Sequence, residues 1–339
     1  MMNVNDFDFI LPKEKIAQHP SEKRDHSRLM VVDIKTQSIS HHHFYEIIDE
    51  LEPNDVLVLN DTKVIPARLM GIKEETEAVI EVLLLKELAK DTWEAMTKPA
   101  KRVKLGTKIH FESLLTAECI EIKEEGLRVF KLSYEGIFIE ILEKLGSMPL
   151  PPYITEKLAE NDRYQTVYAK DLGSAAAPTA GLHFTKALLK KIEDKGIEII
   201  PVTLHVGLGT FKPVSETDIT KHHMHEETYT LSIESTNRLN QAVKDHKNIV
   251  CVGTTSLRTV ESNYNQGFHA GTFQTSIFIY PGYQFKAVKK LITNFHLPKS
   301  TLIMLVSALA GSSLIKQAYH EAIEKDYRFF SFGDAMFIK

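Results

Sequence analysis

The sequence predicts an α/β fold in which a barrel-like domain of alternating strands and helices is interrupted by a small antiparallel β domain. Strand and helix patterns alternate on both sides of residues 71–147, which favours a parallel sheet. Residues 71–147 instead contain short segments rich in β-formers, separated by glycine or charged turns. The stretch MPLPPY at 148–153 is a rigid return to the first domain. We therefore expect 1–70 and 148–339 to form one discontinuous domain, with 71–147 inserted. A doubly wound sheet is the alternative to barrel closure.

The composition is that of a globular protein without membrane or secretion signals. The chain has 339 residues, 43% hydrophobic and 25% charged, enough to bury a full core. No apolar run approaches the roughly 20 residues that a membrane helix needs. The N-terminus lacks a signal-peptide pattern, and the two cysteines are far apart. We therefore expect a cytoplasmic protein with no membrane partner.

The first segment predicts a strand, a helix and a second strand, followed by polar residues. Residues 28–33 and 55–59 are apolar runs, and apolar residues recur at helical spacing over 44–51. In α/β proteins the residues that follow buried strands build the sites. The candidate substrate-binding residues here are Asn60, Asp61, Thr62 and Arg68. The alternative is a turn followed by a solvated arginine.

The inserted region predicts a small antiparallel barrel or sandwich. Its strands are expected at 77–85, 92–97, 107–111, 117–123 and 127–133, with a short helix over 138–145. A local basic cluster comprises Lys98, Lys101, Arg102, Lys104 and Lys108. The formal net charge of −4 argues against coating nucleic acid by bulk charge, but a local patch can contact an RNA backbone. A merely solvated face is the alternative.

The stretch GSAAAPTAGLHF at 173–184 is built of small residues, so its backbone can approach a ligand closely. A helix is predicted to follow, with Thr185 as its N-cap and Gly196 as its stop. A small-residue loop that leads into a helix can receive an anion or another polar ligand. The candidate binding positions are Gly173, Ser174, Thr179 and Gly181. The alternative is that the small residues serve only packing.

Beyond this stretch, glycine-rich or polar loops follow successive predicted strands. The strands are expected at 197–204, 227–233, 248–252, 275–279 and 291–295, and helices at 235–243, 256–264 and 298–309. The loops lie at 205–210, 253–258, 280–283 and 294–296. In a parallel barrel such loops meet on one face, which indicates an active-site face there.

The run HHMHEE at 222–227 offers side chains that could ligate zinc. Its spacing differs from His-Glu-x-x-His, and no further ligand set is evident in the sequence. We therefore expect no metal site. A zinc-dependent hydrolase using His222, His225 and Glu227 remains an alternative, as does an RNA-binding module without catalysis.

At this point the motifs resemble a known family along nearly the whole chain. They are NDTKVIPAR at 60–68, PLPPYI at 149–154, DRYQTVYA at 162–169, GSAAAPTAGLHF at 173–184, HVGLGTF at 205–211, H-x-M-H-x-E at 222–227, GTTSLR at 253–258, TNFHLP at 293–298 and FSFGDAM at 330–336. The chain is similar to the S-adenosylmethionine:tRNA ribosyltransferase-isomerases of queuosine biosynthesis. The resemblance implies a distorted α/β barrel that carries an inserted β-barrel.

The resemblance also implies the reaction. The ribosyl part of S-adenosylmethionine is transferred and isomerised onto 7-aminomethyl-7-deazaguanine at the tRNA wobble position. The product is epoxyqueuosine-tRNA, and adenine and methionine leave. S-adenosylmethionine is then a consumed substrate, and no separate cofactor is expected. The partners are S-adenosylmethionine and tRNA, and the protein is expected to be a monomer.

This chemistry points to residue types with defined roles. A sulfonium acidifies the neighbouring ribose C5′ protons, so a positioned base can start the reaction. The candidate acids and bases are His183, His205, His225, Glu227 and His296. The candidate donor cradle comprises the small-residue stretch with Thr254, Ser256 and Arg258. Asn294 is a further candidate substrate-binding residue. We expect His183 and His205 to share one face beside the ribose and sulfonium. The alternative is that both imidazoles are structural and hydrogen-bonded.

Overall fold

The computed structural model describes residues 2–151, 153–156, 160–207 and 216–339, which fall into two compact units. The first unit comprises Met1–Thr62, Pro152–Asp171 and Pro178–Lys339, and the second comprises Lys63–Pro151 and Leu172–Ala177. The strands in chain order are β1 (Arg28–Asp33), β2 (Ser38–His43), β3 (Asp55–Asn60), β4 (Thr62–Val64), β5 (Arg68–Lys73), β6 (Val79–Ala89), β7 (Thr92–Lys98), β8 (Lys108–Phe111), β9 (Leu115–Ile122), β10 (Leu127–Tyr134), β11 (Gly146–Ser147), β12 (Asp171–Ser174), β13 (Glu198–Leu204), β14 (Glu227–Leu231), β15 (Asn248–Val252), β16 (Gly271–Thr275), β17 (Val288–Asn294) and β18 (Ala335–Ile338). The α-helices are α1 (Ile47–Glu50), α2 (Phe138–Leu145), α3 (Lys186–Asp194), α4 (Ile233–Lys244), α5 (Gly253–Asn263), α6 (Thr301–Ala310) and α7 (Ser312–Glu324).

The first unit is built, in the described residues, on a nine-stranded mixed sheet. Its order is β16-β14-β13-β3-β15-β17-β18-β1-β2. The central strands β13, β3, β15 and β17 pair in parallel, as do β18 and β1, and the other neighbours are antiparallel. The predicted α/β class is confirmed. The expectation of a parallel sheet holds only in part, because β14 is antiparallel to both β13 and β16, and β18 is antiparallel to β17.

Most predicted elements of the first unit are present, with shifts of a few residues. The strand expected at 275–279 instead ends at Thr275 as β16. Strand β2, which carries His41, His42 and His43, is an additional strand that was not predicted, and most of its side chains are exposed. The edge strands β16 and β2 are not paired with each other in the part of the chain that the structure describes.

The core of the first unit forms where apolar strands meet the apolar stripe of α3. Strand β3 is buried along its whole length, and β1 is buried at its four central positions. Leu188 and Ile192 of α3 pack into the same cluster as β1, β3, β15, β17 and β18. The predicted cap and stop are confirmed: Thr185 Oγ1 accepts a hydrogen bond from the Leu188 amide at 3.1 Å, and Gly196 adopts φ +85°.

Among the described residues, no single helix is long and apolar enough to cross a membrane. Helices α6 and α7 pass that test only as a pair, bent by 117°.

The second unit contains the predicted antiparallel barrel. Strands β5, β6, β7, β10, β9 and β8 pair in that order, and β5 also pairs with β8, which closes six strands in the described residues. A glycine is required inside it at Gly71, where a Cβ would lie 2.6 Å from Ile109 Cγ2. The inserted β-barrel of the predicted fold class is thus confirmed.

The second unit is larger than the insertion predicted at 71–147. Strand β5 begins at Arg68 and pairs along its length with β6, and Gly146–Ser147 pairs with β5. Strand β12 pairs with β4, which accounts for residues near 172–177. Residues 63–70, 148–151 and 172–177, expected in the first domain, therefore belong to the second unit. Strand pairing, which is not local in sequence, decides these boundaries.

Candidate functional site

One end of the nine-stranded sheet collects the polar residues of the first unit. Strands β16, β13, β3, β15 and β17 all run towards this end, because β16 and β13 are each antiparallel to β14. Strands β14 and β18 are antiparallel to β13 and β17, and β1 is parallel to β18, so these three strands begin at this end. We call it the site edge. The residues at these strand ends are Ser27, Asn60, His205, Glu227, Gly253, Asn294 and Asp334.

His205 is the most accessible of the titratable residues bound into the site edge. Its Nδ1 lies 2.8 Å from the Thr62 hydroxyl, and its backbone amide donates to the Thr228 carbonyl at 3.2 Å. Nε2 is 3.9 Å from Asp171 Oδ1, too far for a hydrogen bond, and the side chain is 32% exposed. Burial lowers the pKa of His205, while the charges of Asp171 and Asp61 oppose this effect. A neutral imidazole with an accessible Nε2 results.

Asn60 and Asp61 hold the ends of β3 and β13 together. Asn60 Oδ1 accepts from the amides of Leu204 at 3.0 Å and Thr62 at 3.2 Å, and its Nδ2 donates to the Leu204 carbonyl. The Thr203 hydroxyl donates to Asp61 Oδ1 at 2.6 Å, and burial raises the Asp61 pKa. Both side chains therefore form hydrogen bonds within the protein, and these bonds hold Thr62 in position beside His205.

His183 is fully buried in a chain of hydrogen bonds that also includes Asn294. Its Nδ1 lies 2.7 Å from Ser27 Oγ, and its Nε2 lies 3.0 Å from Asn294 Nδ2. Thr179 donates to Asn294 Oδ1 at 3.2 Å, so the amide nitrogen faces the histidine and Nε2 must be the acceptor. Burial, with the charges of Arg328 and Arg24, lowers the His183 pKa to about 3. Both ring nitrogens are engaged in the neutral form.

The remaining candidate histidines differ in burial. His296 is buried, its Nε2 lies 3.0 Å from Thr293 Oγ1, and burial lowers its pKa to about 3. His225 is exposed on the segment that leads to β14. Neighbouring His222 packs edge-on against Phe278 at a centroid distance of 5.3 Å.

Glu227 and Arg258 form an ion pair that is buried on both sides. Their side chains are only 4% and 3% exposed. The Arg258 Nε and Nη2 groups have no hydrogen-bond partner within the described residues. Because a guanidinium has five N–H donors in a rigid fork, this arginine retains capacity for a further anionic group.

The loop after β15 leads directly into α5 and places that helix start at the site edge. Gly253 adopts φ +84°, and the Ser256 hydroxyl donates to the Val252 carbonyl at 2.8 Å. Thr254 is buried beside them. The partial positive charge of a helix start favours an anion or a polar ligand there.

The small-residue stretch is divided between the two units. Residues 173–177 belong to the second unit, where the Ser174 hydroxyl donates to the Ala176 carbonyl at 2.7 Å and Gly173 has φ +145°. Thr179 and Gly181 belong to the first. A Cβ on Gly181 would lie 2.0 Å from Tyr168 Oη, so this glycine is required by packing.

The other predicted residues of the second unit lie on the barrel and next to it. The Arg68 side chain already has protein partners: its Nη1 lies 3.4 Å from Glu81 Oε1, and its Nη2 donates to the Leu150 carbonyl at 3.1 Å. The basic residues Lys98, Lys101, Arg102 and Lys104 are exposed. Buried Arg128 donates to the carbonyls of Ala100 and Val103, which holds this basic segment in place.

Within the described ranges, no group of three His, Cys, Asp or Glu side chains is placed to hold a metal ion. The zinc alternative also has a specific difficulty, because Glu227 is paired with Arg258 and His222 packs against an aromatic ring.

Three residues at or near the site edge were not predicted from the sequence. Ser27 directly precedes β1, and its hydroxyl lies within hydrogen-bond distance of His183. It was missed because only residues after strands were considered, whereas the site edge also includes residues before strands. Asp171 and Tyr168 lie in the segment just before the small-residue stretch. The motif DRYQTVYA contained Tyr168, so its content of polar aromatics was the available signal. Residues 208–211 of the loop after β13 lie outside the described residues.

Comparisons with known proteins agree with one another along the chain. A family model described as "Queuosine biosynthesis protein" matches residues 4–338. The chain belongs to this family. A relative from Clostridioides difficile (strain 630), named S-adenosylmethionine:tRNA ribosyltransferase-isomerase, is 57% identical over 341 residues and covers 100% of both proteins. A crystal structure of S-adenosylmethionine tRNA ribosyltransferase from Thermotoga maritima has a TM-score of 0.57 and 39% identity, covering 98% of this chain and 100% of that one.

Membership of the family confirms the predicted class of protein. The protein is an enzyme of queuosine biosynthesis, a transferase and isomerase that acts in tRNA modification. The solved relative also supports the predicted α/β fold with an inserted barrel.

Proposed function

We propose that this enzyme transfers and isomerises the ribosyl part of S-adenosylmethionine onto 7-aminomethyl-7-deazaguanine at the tRNA wobble position. The product is epoxyqueuosine-tRNA, and adenine and methionine are released. The observation that carries the proposal is the 57% identity, over the full length of both chains, to a relative of that name. The grouping of polar residues at the site edge supports it.

His205 is the residue we assign as the acid–base group. It alone among the five candidates combines an accessible nitrogen with a fixed orientation from Thr62. A lowered pKa keeps the imidazole neutral at pH 7, which suits removal of a C5′ proton next to the sulfonium. Asp171, at 3.9 Å, would stabilise the imidazolium that forms.

His183 and His296 are assigned a positioning role. Their burial opposes protonation, and both Nε2 atoms are already within hydrogen-bond distance of Asn294 or Thr293. His183 thereby fixes the Asn294 amide, which remains a candidate contact to the donor. Exposed His225 can approach substrate only from the segment before β14.

Arg258 and the start of α5 are proposed to hold the donor. The methionine carboxylate matches the unfilled guanidinium N–H groups of Arg258, and Thr254 and Ser256 line the same helix start. Glu227 holds this guanidinium in its orientation. Asn60, Asp61 and Thr62 would form the part of the substrate site next to His205. Contacts of Arg68, Gly173 and Ser174 with the substrate remain predictions.

The tRNA would be held in part by the basic segment of the second unit, Lys98, Lys101, Arg102 and Lys104. The acceptor base lies in a single-stranded loop, so it can be splayed into a site. Charge reversal at Lys101 and Arg102 should weaken tRNA binding and lower the salt slope by about one for each lost phosphate contact. An unchanged slope would mean that this segment is only a solvated face.

The proposed reaction uses no metal and no separate cofactor, because the sulfonium itself supplies the electrophilic activation. A cytoplasmic monomer is the form we propose. Loss of activity on treatment with a chelator, restored by one divalent ion, would contradict the metal-free mechanism.

A single-turnover assay of adenine release tests the proposal. Adenine should appear only when S-adenosylmethionine and the modified tRNA are both present, which an RNA-binding module without catalysis would not produce. His205→Ala should reduce turnover by roughly 10²–10⁴-fold while donor binding, measured by calorimetry, is largely kept. His183→Ala serves as the comparison, with a melting curve recorded for each variant. Near-normal turnover in His205→Ala would remove this histidine from the chemistry.

A further inference from the structure

Three arginines from distant parts of the chain converge on the segment before β1. Arg163 donates to the carbonyls of Ser21 and Glu22. Arg328 Nη2 donates to Ser21 Oγ at 2.7 Å. Arg24 lies in the same segment, and the charge of Arg163 acts on it. We refer to Arg24, Arg163 and Arg328 as the arginine cluster. All three side chains are half-buried, so they remain reachable from solvent.

The positive charge of the arginine cluster is mostly matched by neutral groups. Arg24 donates to the carbonyls of Leu182 at 3.2 Å and Asp162 at 2.7 Å. Neither Arg24 nor Arg163 has a carboxylate within ion-pair distance among the residues that the structure describes. Arg328 has one, Asp334, at 3.6 Å, and the negative charge of Asp162 acts on Arg24 from a longer distance. The cluster therefore carries excess positive charge.

The cluster also has unused donor capacity and a small cavity. Arg163 Nε is buried without a hydrogen-bond partner in the described ranges. A cavity of about 20 Å³ lies between Arg24, Arg163, His183 and Gly333. That volume takes one oxygen-sized group, which is the size of a single phosphate oxygen.

The cavity adjoins the site edge through His183. Arg24 holds the carbonyl of Leu182, the residue directly before His183, and the charges of Arg24 and Arg328 both act on the buried imidazole. An anion bound at the cluster would therefore sit next to the residues that fix Asn294.

We propose that the arginine cluster binds a backbone phosphate of the tRNA that presents the wobble base to the site edge. This inference rests on the proposed function, which supplies the tRNA. The planar forks of arginine match phosphate oxygens in pairs, and a solvent-facing cluster suits a large polyanion. The methionine carboxylate of the donor has a more deeply buried partner in Arg258. The cluster belongs to the first unit, whereas the basic segment at 98–104 belongs to the second.

The test is the affinity of an anticodon stem-loop RNA for the double variant Arg163→Gln/Arg328→Gln, measured over a range of salt concentrations. Loss of one phosphate contact should lower the slope of log affinity against log salt by about one and weaken binding at low salt. Arg238→Gln is the matched control, because Arg238 also donates to a carbonyl but lies on α4. The double variant Arg163→Lys/Arg328→Lys keeps both positive charges, so it should retain the wild-type slope of log affinity against log salt.

A second variant covers the case in which the double substitution does not fold. Ser21→Asp places a carboxylate against Arg328 and Arg163 while every arginine stays in place, and it should weaken RNA binding in the same way. Ser21→Ala is its uncharged control.

An unchanged RNA affinity and slope in folded cluster variants would overturn the inference, even while the wild type releases adenine. A higher S-adenosylmethionine requirement with unchanged RNA affinity would overturn it too, and would assign the cluster to the donor carboxylate. If the wild-type enzyme neither binds the RNA nor releases adenine, the proposed function itself fails.

Discussion

His183 should make the protein less stable as the pH falls from 7 to 5. Burial, together with Arg328 and Arg24, lowers its pKa from 6.5 to about 3. Below pH 6.5 the unfolded chain takes up a proton that the folded chain cannot accept until about pH 3. The stabilisation from this group is therefore complete above pH 6.5 and is lost progressively as the pH falls through that window.

The size of the effect follows from the two pKa values. Between pH 7 and pH 5, proton uptake by an unfolded imidazole of pKa 6.5 lowers the free energy of unfolding by about 2 kcal/mol. Over the whole window the limit is about 5 kcal/mol, because each pKa unit corresponds to about 1.4 kcal/mol. His296, whose pKa burial also lowers to about 3, should add a similar amount.

Urea unfolding at pH 5, 6 and 7 measures this contribution in the wild type and in His183→Gln. The variant should lose about 2 kcal/mol less free energy of unfolding between pH 7 and pH 5 than the wild type. Half-buried Asp61, whose pKa is raised, acts in the opposite direction, but it is present in both proteins and its effect cancels. His320→Gln is the control, since its side chain is 75% exposed.

The same pH dependence in the wild type and in His183→Gln would refute this account. It would mean that His183 can be protonated in the folded protein, so that its ring nitrogens are not committed to Ser27 and Asn294.

Three further predictions concern other contacts. Glu227→Gln should lower the free energy of unfolding by about 3–5 kcal/mol, because it leaves Arg258 buried without its counter-ion; a loss below about 1 kcal/mol in urea unfolding would argue against a buried pair. Gly181→Ala should destabilise by about 1–3 kcal/mol, because its Cβ would lie 2.0 Å from Tyr168 Oη, and adding Tyr168→Phe should recover part of the loss; strictly additive losses in the double variant would contradict the clash. The rate of adenine release should rise with pH to a plateau whose midpoint lies below 6.5, since burial lowers the pKa of His205; a midpoint above 6.5 in a pH–rate profile would point to another base.

Local sequence patterns were sufficient for most element types and for five strands of the inserted barrel, but not for β5. Short segments rich in β-formers located those five strands to within a few residues, and a threonine before an amphipathic stripe located the start of α3. These features depend on residues that are neighbours in the chain, so they could be read without a structure. Polar residues after β3, β13, β15 and β17 also correctly marked one end of the sheet.

Long-range pairing decided what the sequence could not. Strand β18 enters the sheet between β17 and β1 and runs antiparallel to β17, which brings Ser27 and Asp334 to the site edge from strand starts. Pairing of β5 with β6 likewise moved the boundary of the second unit to before residue 71. No local periodicity reports which strands become neighbours.

The candidate histidines show the same division at the level of chemistry. Sequence alone determined that His183, His205, His225 and His296 lie beside polar motifs. It favoured His183 and His205 together as the acid–base pair and had no means of separating those two. Tertiary packing separated them: it buried His183 and His296 as neutral groups, left His225 exposed, and kept one nitrogen of His205 accessible. The reason is physical, because a histidine's charge depends on its desolvation and its hydrogen-bond partners, and both come from residues far away in the chain.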